Sequence, residues 1–267
     1  MSRILGCSSS LPSKNQADQA VWPFRRRRRP GLDVELLQKV VAHWHRMDDD
    51  HRARITDGAF TLASDITWEA ARGMSLDDEV ITTIAGRASL LVSGRSTDQL
   101  RVRTVVVHQS TVVLESETSG PVQGTRSEGR RHLHGQADDS GLVLLAWDAV
   151  SRGGRDGRYG YDVVLHEFAH SLDAGDGMFD GTPAVGGSLR DRWIELASNR
   201  FDELRAGDDP GVLRPYGATN TAEFFAVAVE ALFGRPHQLR AADPDFYAVL
   251  ADLMGLDPCS WVPAPSV

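Results

Sequence analysis

Apolar positions along the chain change their period several times, and each change marks an element. Val34, Leu36, Leu37, Val40, Val41 and Trp44 follow the 3.6-residue repeat of a helix with one buried face. A second helix is predicted over residues 76–91, entered through Ser75 as N-cap with acids in its first turn. Two short β-branched runs, 102–108 and 111–115, are split by Gln109 and Ser110, the pattern of a hairpin. Residues 116–140 are polar and glycine-rich and read as a long loop. Residues 142–147 are an unbroken apolar run, expected as a strand at the sheet edge beside a cleft. Residues 151–160, with four glycines and three arginines, read as a turn-rich connector.

Four helices are predicted after that connector: 161–172; 189–204 after Ser188; 222–233 after Thr221; and 245–254 after Asp243 and Pro244. Helices, a small sheet, then more helices indicate an α+β fold rather than a doubly wound parallel sheet. Residues 1–30 lack apolar periodicity and are expected as a poorly ordered basic tail. Residues 31–258 are expected as a single domain, and 259–267 as a loose C-terminal tail.

Charge narrows the function classes. The chain of 267 residues carries a net charge of −8, yet its first thirty residues hold Arg3, Lys14 and Arg25 to Arg29 against Asp18 alone. The rest is therefore strongly acidic, which disfavours a phosphate backbone and argues against stable nucleic-acid binding as the main task. The arginine run reads first as a solvated arm, with contact to an acidic partner, a membrane surface or RNA as the alternative. No run of 18 apolar residues is present, so no membrane-spanning helix is expected. Two cysteines near opposite ends, Cys7 and Cys259, form no disulfide framework and suit a reducing cytoplasm.

The chemistry concentrates at residues 166–177, HEFAHSLDAGDG. Four residues apart on a helix, His166 and His170 share a face and can offer two imidazole nitrogens to one cation. Glu167 is rotated about 100° from His166, near such a cation and outside its coordination sphere, where a general base belongs. A zinc ion lowers the pKa of its bound water to about 7, and a neighbouring carboxylate can take the proton and pass it to a leaving amine. Val163, Val164, Leu165, Phe168, Ala169 and Leu172 make this helix apolar nearly all round, so it must be buried; histidines hydrogen-bonded in a core are the competing reading.

A catalytic zinc needs a third protein ligand. In YGATNTAEFFAVAVEALFGRP, Glu223 and Glu230 lie two helical turns apart on one face of a very apolar helix. One bound to metal and the other hydrogen-bonded behind it would explain both, whereas a solvent-facing stripe is the plainer alternative. Asp173, three residues after His170, either accepts the free N–H of a ligating histidine or simply ends the helix. Asp176 is a competing ligand, disfavoured because the sharp turn it requires needs glycine where Asp173 stands. His132 and His134 read as surface imidazoles.

HEFAHSLD, then Tyr216, AEFFAV with Glu223, and a second glutamate seven residues on resemble the Mlc titration factor A family of zinc metallopeptidases. GQADDSGLVLLAWDAV, residues 135–150, is similar to that family's strand before the active helix. The resemblance implies a zincin-like metallopeptidase domain and one Zn²⁺ ion, with His166, His170 and Glu223 as ligands, Glu167 as base and Tyr216 as the active-site tyrosine. It further implies an aminopeptidase-type activity on peptide substrates in the bacterial cytoplasm, and in some members binding of a glucose-responsive transcriptional repressor. In that setting the Tyr216 phenol would donate its hydrogen to the oxyanion formed at the scissile carbonyl.

Overall fold

The computed structural model describes residues 31–71, 73–95, 99–110, 112–119, 126–133, 135–137, 140–153 and 161–264. The basic tail and its arginine run lie outside them, as do His134 and the side chain of His132. Among the described residues the first element is α1 (Val34–Val40), capped by Asp33, whose side chain accepts from Leu36 N. A turn follows in which His43 takes φ 59, the left-handed region that a side chain with a Cβ seldom enters. The first predicted helix therefore stops short of Trp44. A helix that the apolar pattern did not announce comes next, α2 (Asp49–Asp65), begun by Asp48 accepting from His51 N. Its mean hydropathy is low, and only a narrow stripe containing Ile55, Ala59 and Leu62 is buried, which is why its periodicity is faint.

The sheet runs β1 (Thr67–Ala70), β2 (Thr104–His108), β6 (Leu142–Ala146) and β5 (Gly135–Ala137), in that spatial order. β1, β2 and β6 are parallel, with Thr67 opposite Thr104 and Thr104 opposite Leu142, while β5 is antiparallel to β6. The crossover from β1 to β2 contains α3 (Asp78–Ala88), entered through Asp77 rather than Ser75. The fold is thus mixed and helix-rich around a small sheet, and three expectations are corrected. The two β-rich runs are not a hairpin: β2 pairs with β1 and β6, whereas the second run belongs to β3 (Val112–Ser119), antiparallel to β4 (Arg126–Leu133). Much of the predicted loop at 116–140 is accordingly strand. The run at 142–147 is internal, and β5 forms the edge. Apolar alternation reports that a segment is a strand and which face it buries; it does not choose the partner.

The remaining helices are α4 (Trp147–Arg152), α5 (Val163–Asp173), α6 (Gly187–Ala206), α7 (Thr221–Gly234), α8 (Pro236–Ala242) and α9 (Pro244–Met254). α6 starts after Gly186 with no side-chain cap, not after Ser188. Asp243 caps α9 as predicted, accepting from Phe246 N. The chain beyond Pro258 is not loose where it is described: Trp261 is buried, and His237 Nε2 lies 2.7 Å from Val262 O. α5 is the central helix, packed on α7, α3, β5 and β6, and all eleven of its residues are buried. Burying each large apolar side chain contributes about 1.5–3 kcal/mol, so Val164, Phe168 and Leu172 carry the helix inside together with its polar residues.

Candidate metal centre

Two helix starts position the polar groups. Asp162 is the N-cap of α5, its Oδ1 accepting from Val164 N (2.9 Å) and Leu165 N (3.4 Å). Asn220 caps α7 and accepts from Glu223 N (2.9 Å), so Glu223 sits in the first turn and Glu230 two turns deeper. Packing α7 on α5 brings both carboxylates to the histidines. Glu223 Oε2 lies 3.0 Å from His166 Nε2 and 3.3 Å from His170 Nε2, and the two imidazole rings meet edge-on at 4.8 Å. One donor atom from each of His166, His170 and Glu223 falls within 4.8 Å of the others. Glu230 approaches from behind, its Oε1 2.7 Å from His166 Nδ1 and its Oε2 accepting from Asp162 N (3.0 Å).

The donor chemistry fits a cation. With Nδ1–H assigned to the bond with Glu230, a neutral His166 turns the lone pair of Nε2 toward a carboxylate oxygen that is itself an acceptor. Two acceptors at 3.0 Å repel unless a proton or a metal ion lies between them. The titration behaviour expresses the same demand. Burial disfavours the His166 imidazolium, but its bonds to Glu223 and Glu230 outweigh burial and raise its pKa to about 10. Burial would raise Glu223 as well, yet the two histidines hold its carboxyl far below the usual glutamate range. Two imidazole nitrogens and a carboxylate oxygen are a donor set that zinc accepts.

Glu167 is buried beside this cluster and shares no donor position in it. Burial pushes its carboxyl up to about 7, against the opposing charge of His166 and His170. The Tyr216 hydroxyl donates to Glu223 Oε1 (2.9 Å), and its ring, half exposed, lies 5.9 Å from that of His166. The five residues singled out in the sequence are therefore neighbours.

Other expectations fare differently. Asp173 does not bond His170: its Oδ2 accepts from Gly181 N (3.0 Å), and both Asp173 Oδ1 and His170 Nδ1 are left buried without a hydrogen-bond partner. Asp176 is exposed, accepts from Met178 N and stands outside the cluster.

Sequence reading missed Asp162 and Arg214. Asp162 directly precedes the apolar run of α5, an N-cap signature that was available. Arg214 donates through Nη2 to Glu230 Oε1, and its guanidinium lies over the rings of Tyr161 (4.8 Å) and Tyr216 (5.9 Å). No local pattern marks it; the signal is that a fully buried carboxylate such as Glu230 requires a cation.

A family model described as glucose-regulated metallo-peptidase M90 matches residues 16–254. The chain is 31% identical over 188 residues to an uncharacterized protein of Synechocystis sp., a match covering 68% of each chain. It is 29% identical over 162 residues to Mlc titration factor A of Pectobacterium atrosepticum, covering 58% of this chain and 59% of that one. With Mlc titration factor A of Yersinia enterocolitica the identity is 27% over 162 residues, with the same shares. The chain thus spans 59% of the length of these two titration factors.

Proposed function

The chain belongs to the glucose-regulated metallopeptidase family, and on that premise we propose that it is a zinc peptidase with a zincin-like domain over residues 31–258, of aminopeptidase type and cytoplasmic. The observation that carries this reading is the convergence of His166, His170 and Glu223 with buried Glu167 beside them. His166, His170 and Glu223 would hold the ion. When bound, zinc supplies Lewis acidity, which lowers the pKa of water and polarises a carbonyl.

The protein's own groups supply the rest. Glu167, desolvated and therefore more basic than an ordinary glutamate, takes the proton of the attacking water and delivers it to the departing amine. Glu230 accepts from His166 Nδ1–H, fixing the tautomer and the ring's orientation. Arg214 neutralises Glu230 and stacks toward Tyr216. The Tyr216 hydroxyl, within the same hydrogen-bonded group, donates to the oxyanion as the scissile carbonyl becomes tetrahedral. Strand β5, one of the two edges of the sheet and in contact with α5, offers backbone groups to which an extended peptide can add as a further strand.

The test pairs metal content with hydrolysis of amino-acid anilides by the wild type and Glu167→Gln. Retained zinc with activity lower by at least about a hundredfold is expected, and equal activity ends the catalytic assignment. The relatives named Mlc titration factor A favour a second reading, a regulator that sequesters a transcriptional repressor with or without peptidase activity. Repressor binding that survives in Glu167→Gln would support that role. Among the described residues no helix is long and apolar enough to cross a membrane.

A further inference from the structure

Residues of α1, the turn after it, α3 and α4 enclose a cavity of about 710 Å³ that opens to solvent. Its charge opposes that of the protein. Lys39, Arg46 and Arg87 line it, with Glu79 the one acid among the described residues of the wall, in a chain of net charge −8. Arg87 is a built-in element: it is 5% exposed, its Nη1 donates to Val150 O (2.8 Å) and lies 3.7 Å from Asp162 Oδ2, and its Nε is buried without a hydrogen-bond partner. His43 lines the same cavity in the left-handed conformation, a backbone strain that persists only where the surroundings impose it. Burial, then Arg46, lowers its pKa from the ordinary imidazole value. Partly exposed Trp147 and Val40 line it, with Trp44 and Val41 buried in the core beneath, and Gln38, Thr83 and Ser151 add neutral polar residues.

We infer that this cavity is a binding site for a small organic anion that carries a planar apolar group beside its phosphate or carboxylate. Lys39 and Arg46, both exposed, attract and pair with the anionic end, while the planar part lies against Trp147. Arg87 is too enclosed for a surface role, and it ties the wall of the cavity to Asp162, the residue that caps α5. The inference does not depend on the peptidase reading, since none of these residues belongs to the histidine cluster.

The test is titration calorimetry on the full-length, metal-loaded protein with phenyl phosphate, and separately with its two halves, inorganic phosphate and phenol. One saturable site is expected for phenyl phosphate, at least about tenfold tighter than for either half. The Lys39→Ala/Arg46→Ala variant, altered only at exposed side chains, is expected to weaken that binding at least about tenfold with an unchanged melting curve. An Arg205→Ala/Arg240→Ala variant removes the same charge elsewhere and is expected to bind as the wild type does. Absence of saturable phenyl phosphate binding, or binding that Lys39→Ala/Arg46→Ala leaves intact, overturns the inference; the latter result would place the anion elsewhere, for instance at the metal centre.

Discussion

Glu230 Oε1 lies 2.7 Å from Nδ1 of His166, a contact between α7 and α5 that spans 64 positions of sequence. Its other oxygen accepts from Asp162 N, so a single buried carboxylate joins the start of α5, the first histidine and Arg214. A charge this enclosed is stable only while its partners remain.

Glu230→Gln removes the charge and keeps the shape. Zinc affinity is expected to fall about 10- to 100-fold, read by competition with a chromophoric chelator. Arg214→Ala instead leaves buried Glu230 without its guanidinium, held only by His166 and Asp162 N, and is expected to cost about 3–5 kcal/mol in urea unfolding. In the double variant much of that cost should be recovered. Strictly additive losses would show that the pair is not coupled.

On the proposed peptidase reading, the ionisation of Glu167 would set the acid side of the rate profile. Only the carboxylate accepts a proton, so activity is present above its pKa and lost as pH falls through it. Burial holds the carboxyl near 7 rather than 4.5, and a cation at the neighbouring donors would favour the ionised form. The acid limb of kcat/KM is therefore expected between those two values, with metal content followed in parallel to separate loss of the ion. A profile flat down to 4.5 would contradict the desolvated base.

Tyr216→Phe deletes the hydroxyl that bonds Glu223 and leaves the half-exposed ring. Bound zinc should be unchanged and kcat lower by about 10²–10³, the usual effect of removing one oxyanion donor. A higher KM with kcat intact would make the tyrosine a substrate-binding residue instead.

Gly181 has φ 80, and a Cβ built there would stand 2.3 Å from Thr221 O, at the residue that opens α7 two positions before Glu223. Gly207 has φ 85 with nothing within 4 Å. Gly207→Ala should therefore carry only the conformational penalty, about 1–3 kcal/mol. Gly181→Ala should lower the melting temperature further and also weaken zinc binding. Equal melting shifts for the two would show that the contact with Thr221 yields freely.

The sequence by itself determined the parts that depend on near neighbours. The apolar circumference of α5 required its burial, the four-residue spacing put His166 and His170 on one face, the seven-residue spacing put Glu223 and Glu230 on another, and Asp243 with Pro244 announced α9. Such features follow from helix geometry and capping, which act over one or two turns. Tertiary structure decided which strand β2 would join, that β5 and not β6 would form the edge, that Asp173 would hold Gly181 rather than His170, and that Arg214 would meet Glu230. These choices belong to packing between distant segments. Hydrogen-bonding groups on a strand edge or a carboxylate accept many partners, and only the assembled core leaves one within reach.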